Sequence, residues 1–398
     1  MILLLLFLVS FITANEWAVI VAGSNGWYNY RHQADACHAY QILKHGGLDE
    51  KNIITMMYDD IAFNSENPYP GNIINRPNGS NVYKGIKIDY SGRDVTPRNF
   101  LSVLRGDSQA VHGNKVLESG PDDNIFIYFT DHGATGLVAF PNDYLYADEL
   151  NDTLNYMFKN NKYGKLIFYL EACESGSMFS QILPKNINIF ATTASTPYES
   201  SYACYYDSTR NIYLGDVYSV NFLQNSMPLR ILTETLQIQY EIDKFLTTTS
   251  TVCEYGDLSL GDTPLKDIFT SLGGTTSKIP IRQESYYGNI RFTKENSISS
   301  RDIELNYLIS KYMNAKNKNK SKYVSMVEME IESRKFYDTY FEYCDLDKLN
   351  QDNTCDNNLK IDYTCLREKI NNFEKKYGRF SNYGLQYVKC LATECKTE

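Results

Sequence analysis

Five short runs in the first half of the chain, residues 17–22, 53–58, 124–130, 166–171 and 187–192, are apolar at almost every position. Near-continuous hydrophobicity over so few residues predicts strands buried on both faces, as in a parallel sheet covered by helices. Amphipathic helices are expected between them at 32–45, where Gly46-Gly47 stops the pattern, at 96–104 with Pro97 in the first turn, and at 147–160. Strand and helix in alternation imply right-handed crossovers and a doubly wound α/β sheet. Residues 64–91, rich in Asn, Gly, Pro and Tyr, lack any period and read as a long surface loop. Two more helices are expected at 215–225 and 229–246. A polar Thr/Ser/Gly-rich stretch, 272–300, reads as a linker, and 301–398 is helical in character, with amphipathic runs at 303–312 and 323–343. No internal repeat is present.

The first 14 residues form an unbroken apolar run ending in small residues. That run is too short to cross a bilayer, which takes about 20 residues, and reads as a secretory signal peptide followed by a folded unit at 15–271. No later stretch is long and apolar enough to span a membrane. The chain of 398 residues carries 39 Lys+Arg against 48 Asp+Glu, net −9, and no basic run. Nucleic acid is therefore excluded as a natural partner. Three sequons, at Asn78, Asn151 and Asn319, suit a secretory lumen. Of nine cysteines, Cys344, Cys355, Cys365, Cys390 and Cys395 crowd the tail and suggest two disulfides with one cysteine over. Cys37, Cys173, Cys204 and Cys253 are scattered, as core residues or as chemistry.

In an open α/β sheet the reactive side chains lie beyond the carboxyl ends of the strands. One such end runs into Asp131-His132-Gly133 and another into Ala172-Cys173-Glu174-Ser175-Gly176. If the two strands are neighbours, an imidazole and a thiol converge on one rim, a nucleophile with its base. Glycines beside them would let the N–H groups of Gly133 and Cys173 approach a developing oxyanion. A cysteine after an apolar strand is more often core, but Glu-Ala-Cys-Glu-Ser lies close to the Gln-Ala-Cys-x-Gly pattern of caspases, with Ser175 in place of the glycine. His38, His45 and His112 have no Cys, Asp or Glu at metal-ligand spacing. Neither a metal nor another cofactor is expected.

At this density of motifs the chain resembles the legumain family of asparaginyl endopeptidases, which are cysteine peptidases of caspase-like fold. The carrying segments run from Val21 to Asp35, Met56 to Asp60, Ile74 to Gly79, Phe129 to Gly133, Glu171 to Met178 and Glu199 to Asp207. The resemblance implies Cys173 as nucleophile, His132 as base, Asn29 as the group that orients the imidazole and Gly133 at the oxyanion position. It implies a first-position pocket built from Arg31, Glu171, Ser201 and Asp216, with His32 nearby. A primary amide suits such a mixture, its oxygen accepting from a guanidinium and its NH2 donating to carboxylates. Aspartate would enter only when protonated, at acidic pH. Asp131 is in the position associated with an aspartimide and peptide ligation.

The resemblance further implies a zymogen whose helical C-terminal prodomain covers the site and is cut away at low pH. Asn296 and Asn306 are the candidate cut sites. Protein and peptide substrates, cystatin-like inhibitors and the chain's own prodomain are the implied partners. A lysosomal, vacuolar or secreted location is implied, the cell surface included. Two other readings stay open: a ligase or transamidase, in which an amine resolves the thioester, and a surface adhesion protein displaying Arg105-Gly106-Asp107.

Overall fold

The computed structural model describes residues 14–226, 228–270, 291–350, 354–356 and 359–397. The apolar N-terminal run lies almost wholly outside these, as does 272–290 of the expected linker. Among the described residues, no helix is long and apolar enough to cross a membrane.

Strands β1 (Glu16–Ala22), β2 (Ile53–Met57), β3 (Asn124–Thr130), β7 (Lys165–Glu171) and β8 (Ile189–Thr193) pair in parallel. With an antiparallel edge strand β11 (Cys253–Gly256) they form a six-stranded sheet in the order β11-β8-β7-β3-β1-β2. Alternate side chains feed two cores, which is why the runs look continuously apolar. Ala18, Ile20, Phe126, Tyr128, Ile167 and Tyr169 pack beneath α1 (Tyr30–His45). Val19, Val21, Ile127, Phe129, Phe168 and Leu170 pack beneath α2 (Pro97–Arg105) and α3 (Ala147–Lys159). The mostly parallel sheet flanked by helices and the helical C-terminal region are as expected.

Three features differ from the expectation. The helix expected over 229–246 is broken into α5 (Pro228–Ile231) and α6 (Leu236–Leu246), because Thr235 adopts extended backbone and caps Ile238 N–H. The end of the expected linker is structured: β12 (Ser297–Ser299) adds antiparallel to β9 (Tyr202–Asp207), which itself pairs with β10 (Ile212–Asp216). The third concerns disulfides. Cys344–Cys390 and Cys365–Cys395 close within the tail, but the fifth cysteine, Cys355, bonds Cys253 on β11. Cys253 is therefore a bridge to the C-terminal region rather than core or chemistry, a pairing between residues 102 apart that spacing cannot reveal.

A small sheet of β4 (Gly133–Ala134), β5 (Leu137–Phe140) and β6 (Asp143–Tyr146) follows His132 directly. Its residues Leu137, Tyr144 and Tyr146 share a third core with Tyr337, Phe341, Leu366, Ile370 and Phe373. These come from α9 (Asn317–Tyr340), α11 (Tyr363–Tyr377) and their flanks, beyond α8 (Ile303–Asn314). The C-terminal helices are thus seated beside the strand ends that carry His132 and Cys173.

Candidate active site

The register of β3 against β7 pairs Thr130 with Glu171. His132 and Cys173 each lie two residues beyond that pair, on strands about 4.8 Å apart. A parallel register alone therefore brings them to one rim. Gly133 is required at its position: a Cβ there would lie 2.4 Å from the Cys173 carbonyl oxygen. Glu174 follows with φ at 50°, a left-handed conformation uncommon for a residue with a side chain, which turns the chain sharply after the nucleophile position. Ser175 is accommodated where a glycine was expected because its N–H and hydroxyl both engage Ser195 Oγ, at 3.1 and 3.0 Å.

Asn29 Oδ1 lies 2.8 Å from His132 Nε2, while Asn29 Nδ2 donates to Asn25 O. That holds the imidazole with Nε2 protonated and Nδ1 free, and Nδ1 makes no hydrogen bond. Cys173 Sγ instead receives Ser201 N–H at 3.4 Å and lies 3.8 Å from Ser201 Oγ. Both side chains are buried. Burial pushes the Cys173 thiol up, with Arg301 pulling the other way, and burial together with Arg31 and Arg301 holds His132 well below the usual histidine range. The pair therefore rests as neutral thiol and neutral imidazole.

The pocket residues named from sequence converge. Arg31, fully buried, donates from Nε to Asp216 Oδ1 at 2.8 Å. Glu171 Oε2 accepts from Ser219 N–H and Oγ–H at 3.1 and 2.9 Å. Left over are one donor and two acceptors, since Arg31 Nη2, Glu171 Oε1 and Asp216 Oδ2 make no hydrogen bond. His32 lies between this pocket and the rim, with Nδ1 2.6 Å from Ser24 Oγ and Nε2 3.6 Å from Asp216 Oδ2. Asp131 is buried, its Oδ1 3.4 Å from His32 Nδ1, and burial raises its carboxyl. His32, Asp131 and His132 place potential ligand atoms within 4.8 Å, the one grouping of metal-ligand type found among the described residues. Two of its ring nitrogens are already committed to Ser24 and Asn29.

Sequence reasoning missed the floor of the pocket. Asp35, one turn from Arg31 on α1, accepts the backbone N–H of Asp216 at 3.1 Å, and Asn75 donates to Asp35 at 2.6 Å and to Leu214 O. Asn75 lies inside one of the segments that carried the resemblance, the only signal that pointed to it. Three buried carboxyls, Asp35, Glu171 and Asp216, thus lie together with only Asp216 bonded to Arg31, and burial with Asp216 beside it pushes Glu171 up to about 8.

This fixes a sign. Unfolded, Glu171 titrates near 4.5; folded, it keeps its proton to about 8, so its contribution to stability is present at acid pH and is lost as pH rises through that window. His32 and His132, held neutral by burial, act oppositely below about 6.5. The difference between variants isolates the carboxyl. Glu171→Gln should gain Tm relative to the parent between pH 5 and 8, in thermal scans at fixed ionic strength; a constant difference across that range would contradict the assignment.

Residues of the C-terminal region reach the same rim. Arg301 Nη2 donates to Gly133 O at 2.6 Å and to Glu174 at 2.5 Å, and Lys389 Nζ lies 3.3 Å from Glu174 Oε1. Ser300 N–H donates to Ser201 O. On the His132 side a cavity of about 330 Å³ is lined by Tyr28, Asn29 and Asp131 and roofed by Glu304, Arg379 and Leu385. Asn296 is exposed in a turn, whereas Asn306 lies inside α8. The tripeptide Arg105-Gly106-Asp107 is used structurally: Arg105 bonds Thr153 Oγ1, Gly106 ends α2 in left-handed conformation, and Asp107 caps Ala110 N–H.

A thiol and a tethered imidazole thus lie at adjacent parallel strand ends of a helix-flanked sheet, above a pocket of mixed charge. The peptidase C13 family model matches residues 16–272, and the chain belongs to that family. It is 58% identical to human legumain over 248 residues, 62% of this chain and 57% of that protein, so the match spans little more than half of that relative. It is 43% identical to the hemoglobinase of Schistosoma japonicum over 91% of this chain and 84% of that one. With the vacuolar-processing enzyme of Citrus sinensis it shares 39% identity over 96% of this chain and 82% of that protein. Among solved structures, caspase-1 from Spodoptera frugiperda overlaps 61% of this chain and 87% of its own at a TM-score of 0.36 and 10% identity.

Proposed function

We propose that the protein is a cysteine endopeptidase that hydrolyses peptide bonds after asparagine, and after aspartate at acidic pH, and that it is made as a zymogen covered by its C-terminal region. The observation that carries the specificity is the set without a hydrogen bond in the pocket: one guanidinium NH2 and two carboxyl oxygens. A carboxamide supplies the complement, its oxygen accepting from Arg31 and its NH2 donating to Asp216, and it meets Glu171 in either state, donating to the carboxylate or accepting from the carboxyl. An apolar side chain would leave all three unpaired and buried, a large penalty in a dry site.

In the reaction His132 Nδ1 takes the Cys173 proton and the thiolate attacks the backbone carbonyl carbon of the Asn residue. The resulting oxyanion lies against the N–H groups of Gly133 and Cys173. His132 then protonates the leaving amine, and water, activated by the same imidazole, hydrolyses the thioester. Asn29 keeps the ring turned throughout. In the covered form substrate cannot reach the thiol, because Arg301, Lys389 and Ser300 occupy the rim.

A cut near exposed Asn296 would free the linker end, whereas helical Asn306 is a poor extended substrate. The apolar leader, the sequons and the disulfides support passage through the secretory pathway to an acidic compartment. Paired fluorogenic peptides with Asn or Ala before the scissile bond test the reading on acid-treated protein. Cleavage of the Asn peptide alone is expected, and equal rates on both would refute the pocket's role.

A further inference from the structure

Cys355 separates itself from the other tail cysteines. While Cys344–Cys390 and Cys365–Cys395 close inside the C-terminal region, Cys355 reaches back to Cys253 on the edge strand of the peptidase sheet. The loop it closes contains the whole of 272–300, the stretch in which a zymogen cut is required. One broken peptide bond there leaves the two parts joined at a second point. We propose that cutting the linker does not release the C-terminal region: it stays covalently tethered through Cys253–Cys355, and a thiol reductant must open that bridge before the site is durably uncovered. The inference rests on the zymogen reading above.

The contacts around the rim give the tether its consequence. Among the described residues, the C-terminal groups that cover the site lie after Asn296: β12, Ser300, Arg301, Glu304 and Lys389. A cut at Asn296 removes none of it. A tethered cover re-engages at an effective concentration in the millimolar range, independent of dilution, so it dissociates and returns rather than being lost. The same loop is also pinned by Tyr255 Oη donating to Cys355 O at 2.9 Å.

The chemistry has a defined direction. Cys253 is fully buried, whereas Cys355 is half-buried between exposed Thr354 and Asp356. The thiolate of a small thiol such as glutathione attacks Cys355 Sγ, forming a mixed disulfide there and expelling the Cys253 thiolate, which takes up a proton. A second small thiolate attacks the first one's sulfur in that mixed disulfide, forming the small-molecule disulfide and expelling the Cys355 thiolate, which takes up a proton. The net change is one protein disulfide reduced to two thiols and two small thiols oxidised to one disulfide.

The test uses the full oxidised chain, cut by limited trypsin at exposed Arg291 or Lys294 so that no self-cleavage is needed. After blocking with iodoacetamide, denaturing gels without reductant should show one species at full mass, and two after reduction. At nanomolar concentration and pH 7, cut protein should turn over an Asn peptide at least tenfold more slowly than cut Cys253→Ser/Cys355→Ser protein, and reduced glutathione should remove the difference. Two separate species without reductant, with Cys253 and Cys355 both alkylated, would overturn the tether without needing any variant. Equal activity of the two cut proteins would overturn its inhibitory consequence. A tethered product with no Asn cleavage in any form would leave the tether standing and sink the functional reading instead.

Discussion

Cys173→Ala is expected to lower kcat/KM on an Asn peptide by about 10^4-fold or more, since only positioning and oxyanion donors remain once the nucleophile is gone. The lost sulfur touches Ser201 N–H and little else that is polar, and alanine keeps the Cβ that packs at the strand end. Folding should survive, with Tm close to the parent's. The measurement is initial rate on activated protein at matched active-site concentration, beside a thermal scan. Residual activity within tenfold of the parent, with the fold intact, would remove Cys173 from the mechanism. Loss of activity with loss of fold would be resolved by Cys173→Ser, which restores a hydroxyl near Ser201 and remains catalytically poor because an alcohol is far harder to deprotonate than a thiol.

The second large effect comes from the substrate. At pH 7 a peptide with Asp in place of Asn should be cleaved about 10^3-fold more slowly, because its carboxylate would be buried among Glu171, Asp216 and Asp35 with a single guanidinium that Asp216 already engages. A protonated aspartate is shaped like the amide and can donate to one carboxyl oxygen. With an ordinary side-chain pKa near 3.9, its neutral fraction rises about a hundredfold between pH 7 and pH 5, and the Asp/Asn ratio of kcat/KM should rise with it. Using the ratio cancels the pH dependence of the thiol–imidazole pair and of stability. A ratio that stays flat from pH 7 to 5 would show that the pocket does not exclude charge, and Arg31 would then be pairing with a carboxylate substrate directly.

The regions where reading the chain succeeded and failed differ in the range of the interactions involved. The buried strands were visible because a parallel strand covered on both faces must be apolar at consecutive positions, and α1, α2 and α3 because their stops and caps are local. His132 and Cys173 followed, since each sits directly after such a strand. The small sheet β4–β6 escaped notice because Gly133–Ala134 and its partners are too short to show a period, and β12 because its pairing on β9 joins residues nearly a hundred positions apart. Asp35 was hidden in the middle of a helix whose pattern reads as packing; only its bond to the backbone of Asp216 makes it part of the pocket.

By itself the chain determined its α/β class and that His132 and Cys173 lie directly beyond strand ends, because those depend on hydrophobic period and local motifs. Three things were decided only in the tertiary structure: which donors and acceptors are left unpaired in the pocket, that Arg301 and Lys389 grip Glu174, and that Cys355 chooses Cys253. Each depends on which distant groups burial brings together, since hydrogen bonds, buried ion pairs and disulfides form across space and leave no periodicity along the chain.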